Sequence, residues 1–295
     1  MTIQQRTGSR IGFSRAALSL ACAALLSVAG VGRAQESAPR QDVPYVPTPQ
    51  VVVEAMLDLA GVRENDVVYD LGSGDGRIPI TAAGRGARGL GVEIVPDLVR
   101  QSRENGRAAA VQDRVEFRTQ DLFETDLSGA SVLTLYLLPD INLRLRERIL
   151  ALRPGMRVVS HDFDMGDWQA DRQVTVNGPE RTHNLFFWTV PARAAGTWTW
   201  TLDTPQGARQ YSLQLTQNYQ RLSGTLRVGD QTLELLSSEL NGDRIGFTFT
   251  DTIGGERANF TVQGRLDGNT LSGTANVAGS SLAGQRQITA TRAGN

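Results

Sequence analysis

Lysine is absent: the 295 residues carry 30 basic side chains, and every one is arginine. An arginine-only chain follows readily from GC-rich coding, and it also means that an enzyme acting on lysine could never modify itself. Cysteine is nearly absent too. The single Cys22 lies inside an apolar run, so the chain beyond that run has no disulfide, no cysteine nucleophile and no thiolate metal site. With only His161 and His183, a multi-histidine metal centre is not expected and no metal is assigned. A surplus of either charge is missing as well. The 31 acidic residues balance the basic ones to a net charge of −1, without the basic excess that marks a nucleic-acid footprint, and no nucleic-acid partner is expected.

Long hydrophobic runs are also scarce, with residues 16–31 the exception. The segment before them holds Arg6, Arg10 and Arg15 and no acid, and Gly32-Arg33-Ala34 follows ahead of Gln35. The run is shorter than the roughly 20 residues that span a bilayer comfortably, and its flanks read as a secretory signal. An uncleaved membrane anchor is the other reading. Residues 1–34 are therefore expected to be a signal peptide or anchor, and 35–47, with Pro39, Pro44 and Pro47, a linker.

Thr48-Pro49 then predicts a capped helix with Pro49 as its first residue, carrying Val52, Met56, Leu57 and Leu59 on one face. Short apolar runs alternate with helical patterns beyond it: strands over 66–71, 89–94, 115–123, 131–138 and 156–163, with helices near 76–85, 96–110 and 139–152 between them. Such alternation builds a doubly wound, mostly parallel α/β sheet. Two more strands, over 172–176 and 183–190, are joined by Asn177-Gly178-Pro179 and predict an antiparallel hairpin. This unit is expected over 48–191. From 196 to 295 the pattern becomes strict alternation, as in Thr197-Trp198-Thr199-Trp200-Thr201-Leu202. Eight such segments, starting near 197, 210, 220, 231, 244, 258, 270 and 285, predict an all-β antiparallel barrel or sandwich.

The chemistry concentrates at the carboxyl ends of the predicted strands. Asp70 closes the first, and Gly72-Ser73-Gly74-Asp75-Gly76 follows. Glycines there let a ligand lie against bare backbone, and Asp70 can accept from a positively charged amino group, as the amino-acid end of S-adenosylmethionine (SAM) requires. A dinucleotide fingerprint would need glycine where Arg77 stands, which disfavours a nicotinamide cofactor. Glu93 ends the second strand, where an acid can hold both ribose hydroxyls, and Asp121 ends the third, in reach of an adenine amino group. Ligands in such sheets bind along this edge. Tyr136 and Asp140 follow the fourth strand on the acceptor side. His161, at the end of the fifth, is a candidate to take the proton that an amine must lose before it attacks a methyl group.

Val46-Pro47-Thr48-Pro49, Asp70-Leu71-Gly72-Ser73-Gly74-Asp75-Gly76-Arg77-Ile78, Gly91-Val92-Glu93, Leu135-Tyr136-Leu137-Leu138-Pro139 and Arg157-Val158-Val159-Ser160 with Trp168 together resemble the small seven-strand lysine methyltransferases. That class I, Rossmann-like family includes the enzymes acting on the ATP synthase c subunit and the adenine nucleotide translocase. The resemblance spans about residues 44–190. It implies SAM as cofactor, a protein lysine as acceptor, Thr48 as a cofactor contact, Asp70, Gly72 and Gly74 with the neighbouring Ser73 as the methionine pocket, Glu93 as the ribose acid and Asp121 as the adenine contact. Two departures stand out. Residues 165–169 are too short for the usual crossover helix, so the acceptor edge is expected to be open, and the domain from 196 instead resembles the lipocalin-like domains appended to exported bacterial proteins.

These readings imply a methyltransferase that is exported to the periplasm or membrane-anchored through residues 16–31, with a protein substrate that includes membrane or cell-envelope proteins. The alternative is an exported binding protein that keeps the fold without turnover and uses its β domain to recognise a ligand or an envelope partner.

Overall fold

The computed structural model describes residues 45–294. The apolar run 16–31, Cys22 and most of the 35–47 segment lie outside the described residues. No helix among the described residues is long and apolar enough to cross a membrane.

Helix α1 (Gln50–Leu59) leads into β1 (Val67–Leu71), α2 (Arg77–Gly84), β2 (Arg88–Glu93), α3 (Pro96–Ala108), β3 (Val115–Thr119), β4 (Val132–Leu135), α4 (Pro139–Leu150), β5 (Arg157–His161), β6 (Arg172–Asn177) and β7 (Thr182–Thr189). The seven strands lie in the order β3-β2-β1-β4-β5-β7-β6. β1 to β5 are parallel, and β7 pairs antiparallel with both β5 and β6, giving the expected hairpin. Neighbouring strand residues feed opposite faces. Val132 and Val159 join Val53, Met56 and Ala82 of α1 and α2 on one side, while Leu133 and Val158 join Leu145 and Ile149 of α4 on the other.

Two local expectations need correction. Pro49, with φ −56 and ψ 144, is the residue before the helix rather than its first, and no side chain caps α1. The Thr48 hydroxyl is engaged instead with His161. The third strand stops at Thr119, because Asp121 turns back to accept from the Phe123 N–H at 2.7 Å, a local bond that competes with the ladder.

The C-terminal strands β8 (Gly196–Thr204), β9 (Gly207–Asn218), β10 (Arg221–Val228), β11 (Gln231–Glu234), β12 (Ser237–Asn241), β13 (Arg244–Ile253), β14 (Glu256–Asp267), β15 (Thr270–Ala278) and β16 (Gly284–Arg292) form one antiparallel sheet. It has nine strands, not eight. Leu235-Leu236 carries no turn residue, so β11 and β12 read as one segment, yet the chain breaks there and β11 and β12 stand at opposite ends of the strand order. A two-residue link between the two edges requires the sheet to curl until its edges are neighbours. Ser238 Oγ donates to the Leu222 carbonyl across that seam at 2.8 Å. The concave side is filled by Trp198, Trp200, Tyr211, Phe247, Phe249 and Phe260, with Phe249 and Phe260 stacked at 4.5 Å.

The absent crossover helix does not leave an open face. Residues 162–171 hold only a Met165–Trp168 bridge, and the two-residue turn between β9 and β10 packs onto them. Tyr219 stacks on the fully buried Trp168 at 5.9 Å, and Gln220 Oε1 accepts from its indole N–H at 3.0 Å. Gln220 Nε2 donates to the Gln169 carbonyl and to Asp171. Tyr219 itself adopts φ +55, a left-handed conformation uncommon for a residue with a side chain.

Candidate cofactor and acceptor site

A cavity of about 560 Å³ opens at the carboxyl ends of β1, β2 and β4, walled by the turn after β1, Glu93, Asp121, Tyr136 and the approach segment 45–48. The turn owes its shape to glycine. Gly72, Gly74 and Gly76 have φ of +79, +53 and +80, and a Cβ on Gly74 would meet the Tyr45 ring at 2.3 Å. Backbone N–H groups of Gly72 and Ser73 donate to the Val92 carbonyl at 2.8 and 3.0 Å, which pins the turn to β2.

Tyr45 thus lies directly over the turn, a contact not evident from local pattern. Its segment is tied down by Arg77, whose guanidinium pairs with Asp75 and donates from Nη1 to the Thr48 carbonyl at 2.7 Å. Asp75 and Arg77 act here as the fastening between approach segment and turn.

Among the acids, Asp70 is 3% exposed and has the Thr134 hydroxyl as donor at 2.7 Å. Burial, opposed by the Thr134 hydrogen bond and aided by the Glu93 and Asp75 charges, raises its carboxyl to about 7. No cation among the described residues pairs with it, since Arg77 is committed to Asp75. A buried carboxylate in that state suits a ligand that brings its own positive charge. Glu93 accepts from Gly74 N–H through Oε2 and from the Ile94 and Val95 N–H groups through Oε1, which fixes it at the rim with acceptor capacity to spare. Ser73 lines the cavity, and its buried hydroxyl has no protein partner. Asp121 lines the far end. An acidic cradle, a bare-backbone turn and an uncompensated carboxylate all fit the ammonium, ribose and sulfonium of SAM.

Thr48, Asp70, Gly72, Ser73, Gly74, Glu93, Asp121 and Tyr136 therefore meet in one cavity. Asp140 does not join them. It is exposed in the first turn of α4, where a carboxylate complements the helix dipole. His161 is fully buried behind the cavity wall, stacked under the Tyr136 ring at 3.8 Å. Its Nδ1 meets Thr48 Oγ1 at 3.2 Å and its Nε2 meets His183 Nδ1 at 2.8 Å. The two histidines, too few by count for a multi-histidine centre, are thus neighbours, and the Asp162 carboxylate stands 3.3 and 3.5 Å from their facing nitrogens. Arg181 pairs with that same carboxylate. Burial, opposed by Asp162 and aided by His183 and Arg181, lowers the His161 ring to about 4. The ring is neutral at neutral pH.

The family described as the ANTKMT methyltransferase domain matches residues 70–172. A protein-lysine N-methyltransferase of Saccharolobus islandicus is 39% identical over 151 residues, which cover 50% of this chain and 94% of that enzyme. The adenine nucleotide translocase lysine N-methyltransferase of Mus musculus is 36% identical over 132 residues, 44% of this chain and 57% of that protein. A crystal structure described as an RNA methyltransferase from Salinibacter ruber, in complex with S-adenosyl-L-homocysteine, is 56% identical, with a TM-score of 0.47 over 50% of this chain and 95% of the other. By its likeness to nearly the whole of the Saccharolobus islandicus enzyme, the chain belongs to the SAM-dependent methyltransferase family that contains that protein-lysine N-methyltransferase.

Proposed function

We propose that the enzyme methylates the side-chain amine of lysine in another protein, with Asp70, Gly72, Ser73 and Gly74 holding the methionine end of SAM, Glu93 the ribose and Asp121 the adenine. Bound there, the cofactor supplies a methyl group already activated by its sulfonium, so the protein's share is alignment and exclusion of water. The observation that carries the cofactor half is the buried, cation-free Asp70 carboxylate. The acceptor half is supported by the lysine-modifying relatives, and by Tyr136, Leu137 and Phe163, which make the wall of the cavity next to Thr48 largely apolar. Desolvation on such a wall favours a neutral amine.

The reading extends to location. The apolar run 16–31 with its arginine-bearing flank supports a protein exported or held at a membrane, with a membrane or envelope protein as acceptor. The packed aromatic interior of the C-terminal sheet supports a structural role for that sheet over a ligand-binding one.

Incubation with methyl-labelled SAM and host protein and RNA fractions tests this. Because the chain has no lysine, every methyl-lysine recovered after acid hydrolysis comes from an acceptor. Label in RNA alone, or none in protein, overturns the lysine assignment. Mass spectrometry of the native N terminus separates a start at Gln35 from an intact anchored chain.

A further inference from the structure

An acceptor lysine arrives protonated. Its ordinary pKa of about 10.4 leaves roughly one amine in 2,500 neutral at pH 7. One N–H proton must leave before the nitrogen has a lone pair to donate. Thr48 is the cavity residue whose side chain hydrogen-bonds to an imidazole. From its hydroxyl a continuous line of hydrogen bonds runs through both nitrogens of His161 to Nδ1 of His183. His183 Nε2 then lies against the β6–β7 turn, where a Cβ on Gly178 would meet it at 2.6 Å. His183 is itself 4% exposed and lies just beneath this turn, whose Pro179 and Glu180 are exposed, so its Nε2 is one layer from solvent.

We propose that Thr48, His161 and His183 form a proton path that carries the acceptor's proton from the cavity to solvent. This rests on the lysine reading above. The balance closes without any other reactant. The ammonium gives a proton to Thr48 Oγ1 as the Thr48 hydroxyl proton passes to His161 Nδ1. The proton on His161 Nε2 passes to His183 Nδ1, and the proton on His183 Nε2 leaves to water. The amine keeps the electron pair of the broken N–H bond, both rings end neutral in the opposite tautomer, and rotation of the hydroxyl and return of the tautomers reset the line.

Every charged or titratable group around the path has a place in it. Asp162, at the end of β5, faces both inner ring nitrogens and favours the transient positive charge. Arg181, from the β6–β7 turn, pairs with Asp162 and stops that carboxylate from trapping the proton. Tyr136, after β4, covers His161 with its ring and keeps water from short-circuiting the line. The low proton affinity of His161 makes it a conductor, not a store. A cation bound among the same three side chains would sit against the Arg181 guanidinium and break the His161–His183 bond, so the arrangement as it stands suits a proton.

His161 and His183 act through Thr48, so the test needs a readout that a structural role would not move. Methylation of poly-L-lysine is followed from pH 7 to 9.5 for the wild type and for His161→Gln, His183→Gln and Thr48→Val. Each substitution should lower kcat about 100-fold at pH 7. The loss should shrink steadily with rising pH to within about threefold at pH 9.5, as the acceptor loses its proton unaided. KM for SAM should hold for His161→Gln and His183→Gln, neither of which lines the cavity. Independently of turnover, proton NMR of the cofactor-free protein should show an exchange-protected imidazole N–H that His183→Gln removes.

A loss that is equal at all pH values, no loss at all, absence of the protected proton, or stoichiometric zinc in the purified wild type would overturn the path. If the wild type methylates lysine and the variants fail in one of these ways, the path falls and the function stands. If the wild type methylates no lysine in poly-L-lysine or host protein, both fall.

Discussion

Two aspartates are buried almost equally, one in each half of the molecule, and their surroundings differ completely. Asp251, 1% exposed inside the curled sheet, takes both guanidinium hydrogen bonds of Arg209 at 2.8 Å and the Tyr211 hydroxyl at 2.9 Å. Burial, then the Asp251 charge, pushes the Tyr211 phenol above its usual range, so it remains a donor. Asp70 has one neutral hydroxyl and no cation. A buried charge with its partners in the chain is architecture, whereas one whose partner is missing marks where a ligand belongs.

Breaking the matched pair should have the largest effect. Asp251→Ala leaves Arg209 and Tyr211 without their acceptor and should destabilise the protein by about 3 kcal/mol or more in urea unfolding. Asp70→Asn sharpens the contrast from the other side. Calorimetric affinity for SAM should fall by about 100-fold, the scale of a lost charge-assisted bond of about 2–3 kcal/mol. The sign for stability is opposite. With its folded pKa raised to about 7, Asp70 costs the ligand-free protein stability as pH rises from about 4 through 7, so Asp70→Asn should melt higher than wild type at pH 8, by about 1 kcal/mol. The smallest effect is on pH dependence. The bound cation requires the ionised carboxylate, so wild-type affinity for SAM should weaken by up to about tenfold per unit as pH falls below 7, and Asp70→Asn should flatten that slope. An Asp251→Ala protein as stable as wild type, or a slope retained by Asp70→Asn, would break the distinction.

That Asp70, the glycine turn, Glu93 and Asp121 share one cavity was largely legible in the sequence because the signals are local. Asp70 and Glu93 follow apolar strand runs directly, and the glycines between them have no other ready explanation than a turn with positive φ. What was not legible depends on contacts between distant segments. Thr48 and His161 are 113 residues apart, and nothing near Thr48 says that its hydroxyl is taken by an imidazole rather than by the start of α1. Tyr45 reads as linker until its ring is found on Gly74. His183 is one alternating residue of β7 until antiparallel pairing with β5 brings it beside His161. The ninth strand escaped for a local reason, since Leu235-Leu236 offers neither glycine, proline nor asparagine to mark the break.

The β9–β10 turn on Trp168 bears on how such a chain can be inherited. Composition changes abruptly near Pro191, as though two modules had been joined end to end, but the indole of one half donates to the glutamine of the other and the missing helix of the first is made good by the second. An exchange of C-terminal sheets between relatives would have to carry Tyr219 and Gln220 with it or restore the helix. The two halves, separable on paper by their patterns, are therefore bound to evolve as a pair.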